Sequence, residues 1–123
     1  MSLILADTSV WIAHFRKPMM ALQTLLAADQ ILCHPLVVLE IACGTPPAPR
    51  ERTLESLRQL RSVTVAGTEE ALALLEREQL QDSGCGAVDL LLLASVMLEA
   101  DAVLWTLDRQ LRRHATRFGI AYA

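Results

Sequence analysis

Leu3-Ile4-Leu5-Ala6-Asp7-Thr8-Ser9-Val10-Trp11-Ile12 sets a four-residue apolar run against an acid, then hydroxyl residues, then a second apolar stretch. A run so short and aliphatic is the habit of a strand buried on both faces of a parallel sheet. Thr8-Ser9 ahead of Val10, Trp11 and Ile12 reads as the start of a helix. The same strand-to-helix alternation recurs along the chain and predicts an α/β fold, a parallel sheet covered by helices. Strands are expected at Leu3–Ala6, Ile31–Cys33, Val63–Val65, Ala102–Trp105 and Ile120–Tyr122. Helices are expected from Thr8-Ser9, from Pro18 to Ala28, from Pro35 to Gly44, from Arg50 to Leu60, from a Thr68 cap, from Ala87 to Ala100, and from Asp108 to Phe118. Thr45-Pro46-Pro47-Ala48-Pro49 is a stiff connector within one domain spanning 1–123.

The chain has 123 residues, 53% of them hydrophobic, enough for a real core in a single domain. Aromatics make up only 4%, so that core is aliphatic. No apolar run reaches the roughly 18 residues of a membrane span. No basic, then apolar, then small-residue leader opens the sequence. Cys33, Cys43 and Cys85 are odd in number and form no C-x-x-C pair, which predicts reduced thiols rather than disulfides or a zinc site. Together these features predict a cytoplasmic protein without membrane attachment.

Four acids interrupt apolar surroundings. Asp7 ends the first run, Glu40 divides Leu36-Val37-Val38-Leu39 from Ile41-Ala42, Asp89 precedes Leu90-Leu91-Leu92-Leu93, and Asp108 follows Ala102-Val103-Leu104-Trp105-Thr106-Leu107. Carboxylates beside a core cost several kcal/mol each without compensation. One compensation is convergence of all four on a divalent cation with oxygen ligands, Mg²⁺ or Mn²⁺. Another is local: Asp7, Asp89 and Asp108 fall near helix starts, where a cap contributes about 0.5–2 kcal/mol, and Glu40 can pair with an arginine. Thr8, Ser9 and Thr106 supply hydroxyls that either orient a phosphate oxygen or water, or cap helix and strand ends.

The net charge of −3 argues at first against a nucleic-acid partner, but its distribution does not. With those four acids set aside, ten face 11 bases, ten of them arginine. Arg109, Arg112, Arg113 and Arg117 crowd one short stretch, suited to gripping phosphates or to forming a solvated helix face. Other phosphate chemistries lack their residues. Lys17 is the sole lysine, so there is no Gly-Lys-Ser/Thr loop, and no G-x-S-x-G elbow occurs. A receiver-type phosphoacceptor wants an acidic pair after its first strand, and a haloacid-dehalogenase-like phosphatase wants D-x-D where this chain reads Asp7-Thr8-Ser9.

Asp7-Thr8-Ser9-Val10-Trp11-Ile12, Leu39-Glu40-Ile41-Ala42-Cys43-Gly44, Gly84-Cys85-Gly86-Ala87-Val88-Asp89 and Leu104-Trp105-Thr106-Leu107-Asp108 together resemble the PIN-domain ribonucleases, in particular the VapC toxins of bacterial toxin–antitoxin pairs. The resemblance runs over nearly the whole chain, in the family's order. It implies a three-layer α/β/α sandwich around a five-stranded parallel sheet, with Asp7, Glu40, Asp89 and Asp108 as metal-binding catalytic acids. It implies cleavage of RNA, commonly tRNA or ribosomal RNA loops, with Mg²⁺ or Mn²⁺, by a homodimer held inactive by a VapB-type antitoxin. Two departures stand out: Gln110 where the family often has a further acid, which weakens the case for a second fully ligated metal, and the proline-rich stretch after Gly44.

The expected mechanism is attack of a metal-activated water on an RNA phosphodiester, with Arg109, Arg112 or Arg113 on flanking phosphates. Two rivals are a PIN-fold binding or regulatory module without turnover, and a DNA nuclease of related fold. Helices near Met19–Leu26 and Leu54–Leu60 form a candidate apolar groove for a partner peptide.

Overall fold

The computed structural model describes residues 2–123. β1 (Leu3–Ala6) leads into α1 (Thr8–Arg16) and α2 (Met20–Ala27). β2 (Ile31–Cys33) leads into α3 (Pro35–Cys43) and α4 (Arg50–Arg58), and β3 (Arg61–Ser62) into α5 (Thr68–Glu78) and α6 (Ala87–Leu98). β4 (Ala102–Trp105) leads into α7 (Arg109–Arg117). The strands lie in the order β3-β2-β1-β4, every neighbour parallel. From β1 the chain steps one way to β2 and β3, then crosses to the opposite side for β4. The boundary between β1 and β4 is therefore the topological switch point, where open α/β sheets gather ligands.

Ile4, Leu5 and Ala6 are all buried although successive strand residues face opposite ways, so helices cover both faces of the sheet. Around it Val10, Leu22, Leu32, Val37, Leu80, Leu93 and Leu104 join one contiguous aliphatic core. The helices pack onto it through their apolar stripes: Val10 and Trp11 of α1, Val37 and Ile41 of α3, and the nearly all-apolar α6.

The expected third and fifth strands differ in detail. β3 occupies Arg61–Ser62 rather than Val63–Val65. Its partner β2 is three residues long and turns through His34-Pro35 straight into α3, so the ladder ends with Val63 N–H donating to Cys33 O at 3.1 Å. Val63 is buried regardless, which is why its apolar character misleads. Ile120–Tyr122 lies beside β4 as expected but pairs as a single bridge, Leu104 to Ala121. Its bonds are Leu104 N–H to Ile120 O at 2.7 Å and Tyr122 N–H to Leu104 O at 2.8 Å. The described residues thus form four strands and a bridge.

Helix starts shift by similar local causes. α2 begins at Met20, not Pro18, because the Met19 amide donates to His14 Nδ1 at 3.0 Å and stays outside the helix. Thr68 is the first residue of α5 and Gly67 its N-cap, without a side-chain bond.

Candidate active site

The register of β1 against β4 sets Ala6 opposite Trp105, so the next residues, Asp7 and Thr106, emerge side by side at the switch point. The Asp7 amide still donates to Trp105 O at 3.0 Å, fixing the backbone. Asp7 is buried, 6% exposed, and its carboxylate is held on both oxygens. Ser9 Oγ donates to Oδ1 at 2.5 Å, the Val10 amide to Oδ1 at 3.3 Å, and Thr106 Oγ1 to Oδ2 at 2.5 Å. Three of roughly four lone-pair sites on a carboxylate are thereby filled, leaving acceptor capacity on Oδ2. The hydroxyls are anchored in turn: the Leu107 amide donates to Ser9 Oγ at 2.9 Å and the Asp108 amide to Thr106 Oγ1 at 3.0 Å.

The other acids surround this point. Asp108 is the N-cap of α7, accepting from the Leu111 amide at 2.9 Å, as Asp7 is the N-cap of α1. Asp89 lies in the first turn of α6. Three helix N-termini therefore point their positive dipole ends toward the rim and ease its negative charge. Glu40, late in α3, lacks that help; its Oε1 accepts from Thr8 Oγ1 at 2.6 Å, which ties α3 to the start of α1.

Burial corrects the expectation that all four acids press on the core: Asp7 is buried, Asp89 half-buried, and Glu40 and Asp108 are exposed. The local alternatives are also decided. Asp7 and Asp108 do cap helices, and the Glu40–arginine pairing does not occur, since the ion pairs among the described residues are Arg61–Asp29, Arg77–Glu78 and Arg117–Glu78. Among the described residues the rim acids have no basic partner. Nor do the acids meet at one point: among the described residues, no three His, Cys, Asp or Glu side chains draw together closely enough to hold a metal ion.

The charges nevertheless feel one another. Burial raises the Asp7 carboxyl above the ordinary value, against the hydrogen bonds from Ser9, Thr106 and Val10. Burial also raises Asp89, reinforced by the negative charges of Asp108, Asp7 and Glu40 and opposed by a bond from the Gly86 backbone. Asp7 and Asp89, whose carboxyls lie above their ordinary pKa and have no basic partner among the described residues, are hard oxygen donors of the kind a divalent cation takes. Soft-metal ligation fits poorly: the nearby Cys85 thiol is pushed up to about 11 by burial and by Asp89, so it stays protonated.

Arg109, Arg112 and Arg113 are exposed on α7, directly after Asp108. Arg117 is already engaged, by Glu78 Oε1 and O at 3.2 Å and over the Phe118 ring at 5.0 Å. The residue that sequence reasoning undervalued most is Thr8, whose partner is Glu40; only the approach of α1 to α3 discloses it.

A PIN domain model matches residues 4–116. Two curated relatives, both named Ribonuclease VapC32 and both from Mycobacterium tuberculosis (strains CDC 1551 / Oshkosh and ATCC 25618 / H37Rv), are 42% identical over 121 residues, 98% of this chain and 97% of theirs.

Proposed function

This chain belongs to the PIN-domain family, as a ribonuclease of the VapC type, and on that premise we propose that the acid rim at the β1/β4 switch point hydrolyses RNA phosphodiesters with Mg²⁺ or Mn²⁺. The observation that supports it best is the rim of four carboxylates with no basic partner among the described residues, three of which, Asp108, Asp7 and Glu40, act by their charge on the fourth, Asp89. Asp7, Asp89 and Asp108 are the residues to hold the ion, with Glu40 as a further ligand or as the group that orients water. Bound there, such a cation lowers the pKa of water and stabilises charge on phosphate oxygens. The chain's own part is positional. Ser9 and Thr106 lock Asp7 in one orientation, Thr8 holds Glu40 toward the rim, and Arg109, Arg112 and Arg113 grip flanking phosphates.

The substrate class in this reading is an exposed single-stranded loop, as in tRNA or ribosomal RNA, because an A-form duplex hides its bases in a deep, narrow groove. With aromatics at 4%, stacking is a minor source of preference. The chain works as one domain and as a homodimer restrained by a VapB-type antitoxin. In this reading an apolar segment of the antitoxin would dock in the cavity of about 390 Å³ walled by Trp11, Phe15, Leu26, Leu57 and Leu60, with Arg52 at hand. Trp11 also carries a buried indole N–H without an acceptor among the described residues. Met20 is exposed but Leu22 is fully buried, so the expected groove helix contributes partly to the core.

Incubation with total RNA, with and without Mg²⁺ or Mn²⁺, beside the Asp89→Asn protein, tests the proposal. Discrete fragments that vanish with EDTA and with the variant are expected. Fragments that persist in either control would overturn it.

A further inference from the structure

Between α5 and α6 the chain makes a tight connector with three residues in the left-handed region: Gln79 (φ 53), Asp82 (φ 59) and Gly84 (φ 82). One end is anchored by Leu80, 1% exposed, and by Ser83 Oγ donating to Leu80 O at 2.5 Å. The other end, Gly84-Cys85-Gly86, runs directly into the turn of α6 that carries Asp89. Across Gly84 lies the side chain of Gln110, from the first turn of α7. A β-carbon at Gly84 would fall 2.6 Å from Gln110 Oε1 and 2.9 Å from both Cδ and Nε2, so any larger residue there would push the end of the Gln110 side chain out of this contact. Glycine thus serves twice here, adopting a positive φ and leaving room for an amide to lie flat on the backbone. No hydrogen bond from the Gln110 side chain exists among the described residues, so the contact is one of packing.

The geometry points to Gln110 as a positioning residue: its packing on Gly84 fastens the N-terminus of α7, which bears Asp108, to the N-terminus of α6, which bears Asp89. Gln110 lies two residues after Asp108, and Gly84 five before Asp89. The clasp therefore joins two segments close in sequence to Asp108 and to Asp89, whose carboxyl feels the charge of Asp108. An acid at position 110 would add a fifth negative charge to the rim; the neutral amide keeps the contact without it. This role rests on the metal-nuclease reading for its consequence, though not for the clasp itself.

The experiment compares wild type, Gln110→Ala and Gln110→Met by two readouts. The first is Mn²⁺ titration of the protein without RNA. The second is amide hydrogen exchange of residues 84–89 in metal-free protein, which registers the clasp independently of any ion. Gln110→Ala is expected to weaken Mn²⁺ affinity about tenfold, the low end for loss of a supporting partner of a metal ligand. Exchange at 84–89 should accelerate while the melting temperature stays close to wild type. Gln110→Met, of similar shape but without the amide, should restore both. Unchanged exchange and unchanged affinity in Gln110→Ala would overturn the proposal, as would failure of Gln110→Met to rescue either. Faster exchange in Gln110→Ala, with no Mn²⁺ binding by wild type, would support the clasp and refute the metal-nuclease reading instead.

Discussion

Asp7 and His34 hold equivalent places in the fold, and their surroundings are opposites. Each follows a parallel strand directly, β1 or β2, and each caps the helix that comes next, Asp7 through Val10 and His34 through Leu36. Both are buried. Around His34 every polar need is met: Nδ1 accepts from the Leu36 amide at 3.0 Å, which leaves the proton on Nε2 to meet Ser95 Oγ at 3.1 Å. Ser95 Oγ accepts from the Ala66 amide at 3.0 Å and donates to Leu91 O at 2.6 Å. The ring is neutral, with its pKa lowered by burial. Around Asp7 the hydrogen bonds are equally thorough, but three further acids stand at the same rim. A satisfied neutral network is structural; a satisfied carboxylate among unpaired carboxylates retains a demand for positive charge.

The sharpest way to break this contrast is substitution. Asp89→Asn should reduce RNA cleavage by at least about a hundredfold, beyond what loss of a mere outer partner does, while melting temperature in EDTA rises because a repelled, half-buried charge is gone. Gel-resolved cleavage and thermal melts read the two effects; a variant both active and less stable would erase the distinction. His34→Ala should do the reverse. It removes the α3 cap and leaves Ser95 underused at a cost of about 2–4 kcal/mol in urea unfolding, with cleavage per folded molecule largely kept.

Metal removal sharpens the comparison next. Mn²⁺ at a hundred times its dissociation constant should stabilise wild type by about 2.7 kcal/mol. His34→Ala should keep that increment and Asp89→Asn should lose most of it, as measured by unfolding with Mn²⁺ or EDTA. Arg112→Ala and Arg113→Ala are milder: RNA binding should weaken by about tenfold or less, and each should reduce the slope of log affinity against log salt by roughly 0.7. An unchanged slope would remove that arginine from the phosphate path.

The smallest expected effect is opposite responses to acid without metal. The folded-state pKa of His34 lies below its ordinary 6.5, so its stabilisation is present above 6.5 and lost as pH falls from there through the folded-state value. That of Asp89 lies above its ordinary 3.8, so its favourable contribution is present below 3.8 and lost as pH rises through the folded-state value. Acidifying from pH 7 should therefore cost stability at His34 and recover it at Asp89. Unfolding across a pH series should show a shallower loss in His34→Asn and a steeper one in Asp89→Asn; identical curves would show that neither group governs the response.

Much of the fold was legible because buried parallel strands and amphipathic helices leave different periodicities, and β1, β2 and β4 fall where their apolar runs stand. β3 was misplaced because its neighbour's length, not its own composition, sets where pairing stops. The acids were legible as a set, since each interrupts an apolar stretch, but their exposure was not: Glu40 and Asp108 reach solvent through packing that no local window encodes. The contact of Gln110 with Gly84 was hidden for the same reason, lying across a turn whose left-handed residues are mostly not glycine.

The bond from Thr106 to Asp7 joins residues 99 apart in sequence. Nothing before β4 can complete that junction. During synthesis Asp7 therefore stays without that partner until β4 and Thr106 have left the ribosome, and a chain cut short before β4 would lack Thr106 and Asp108 altogether.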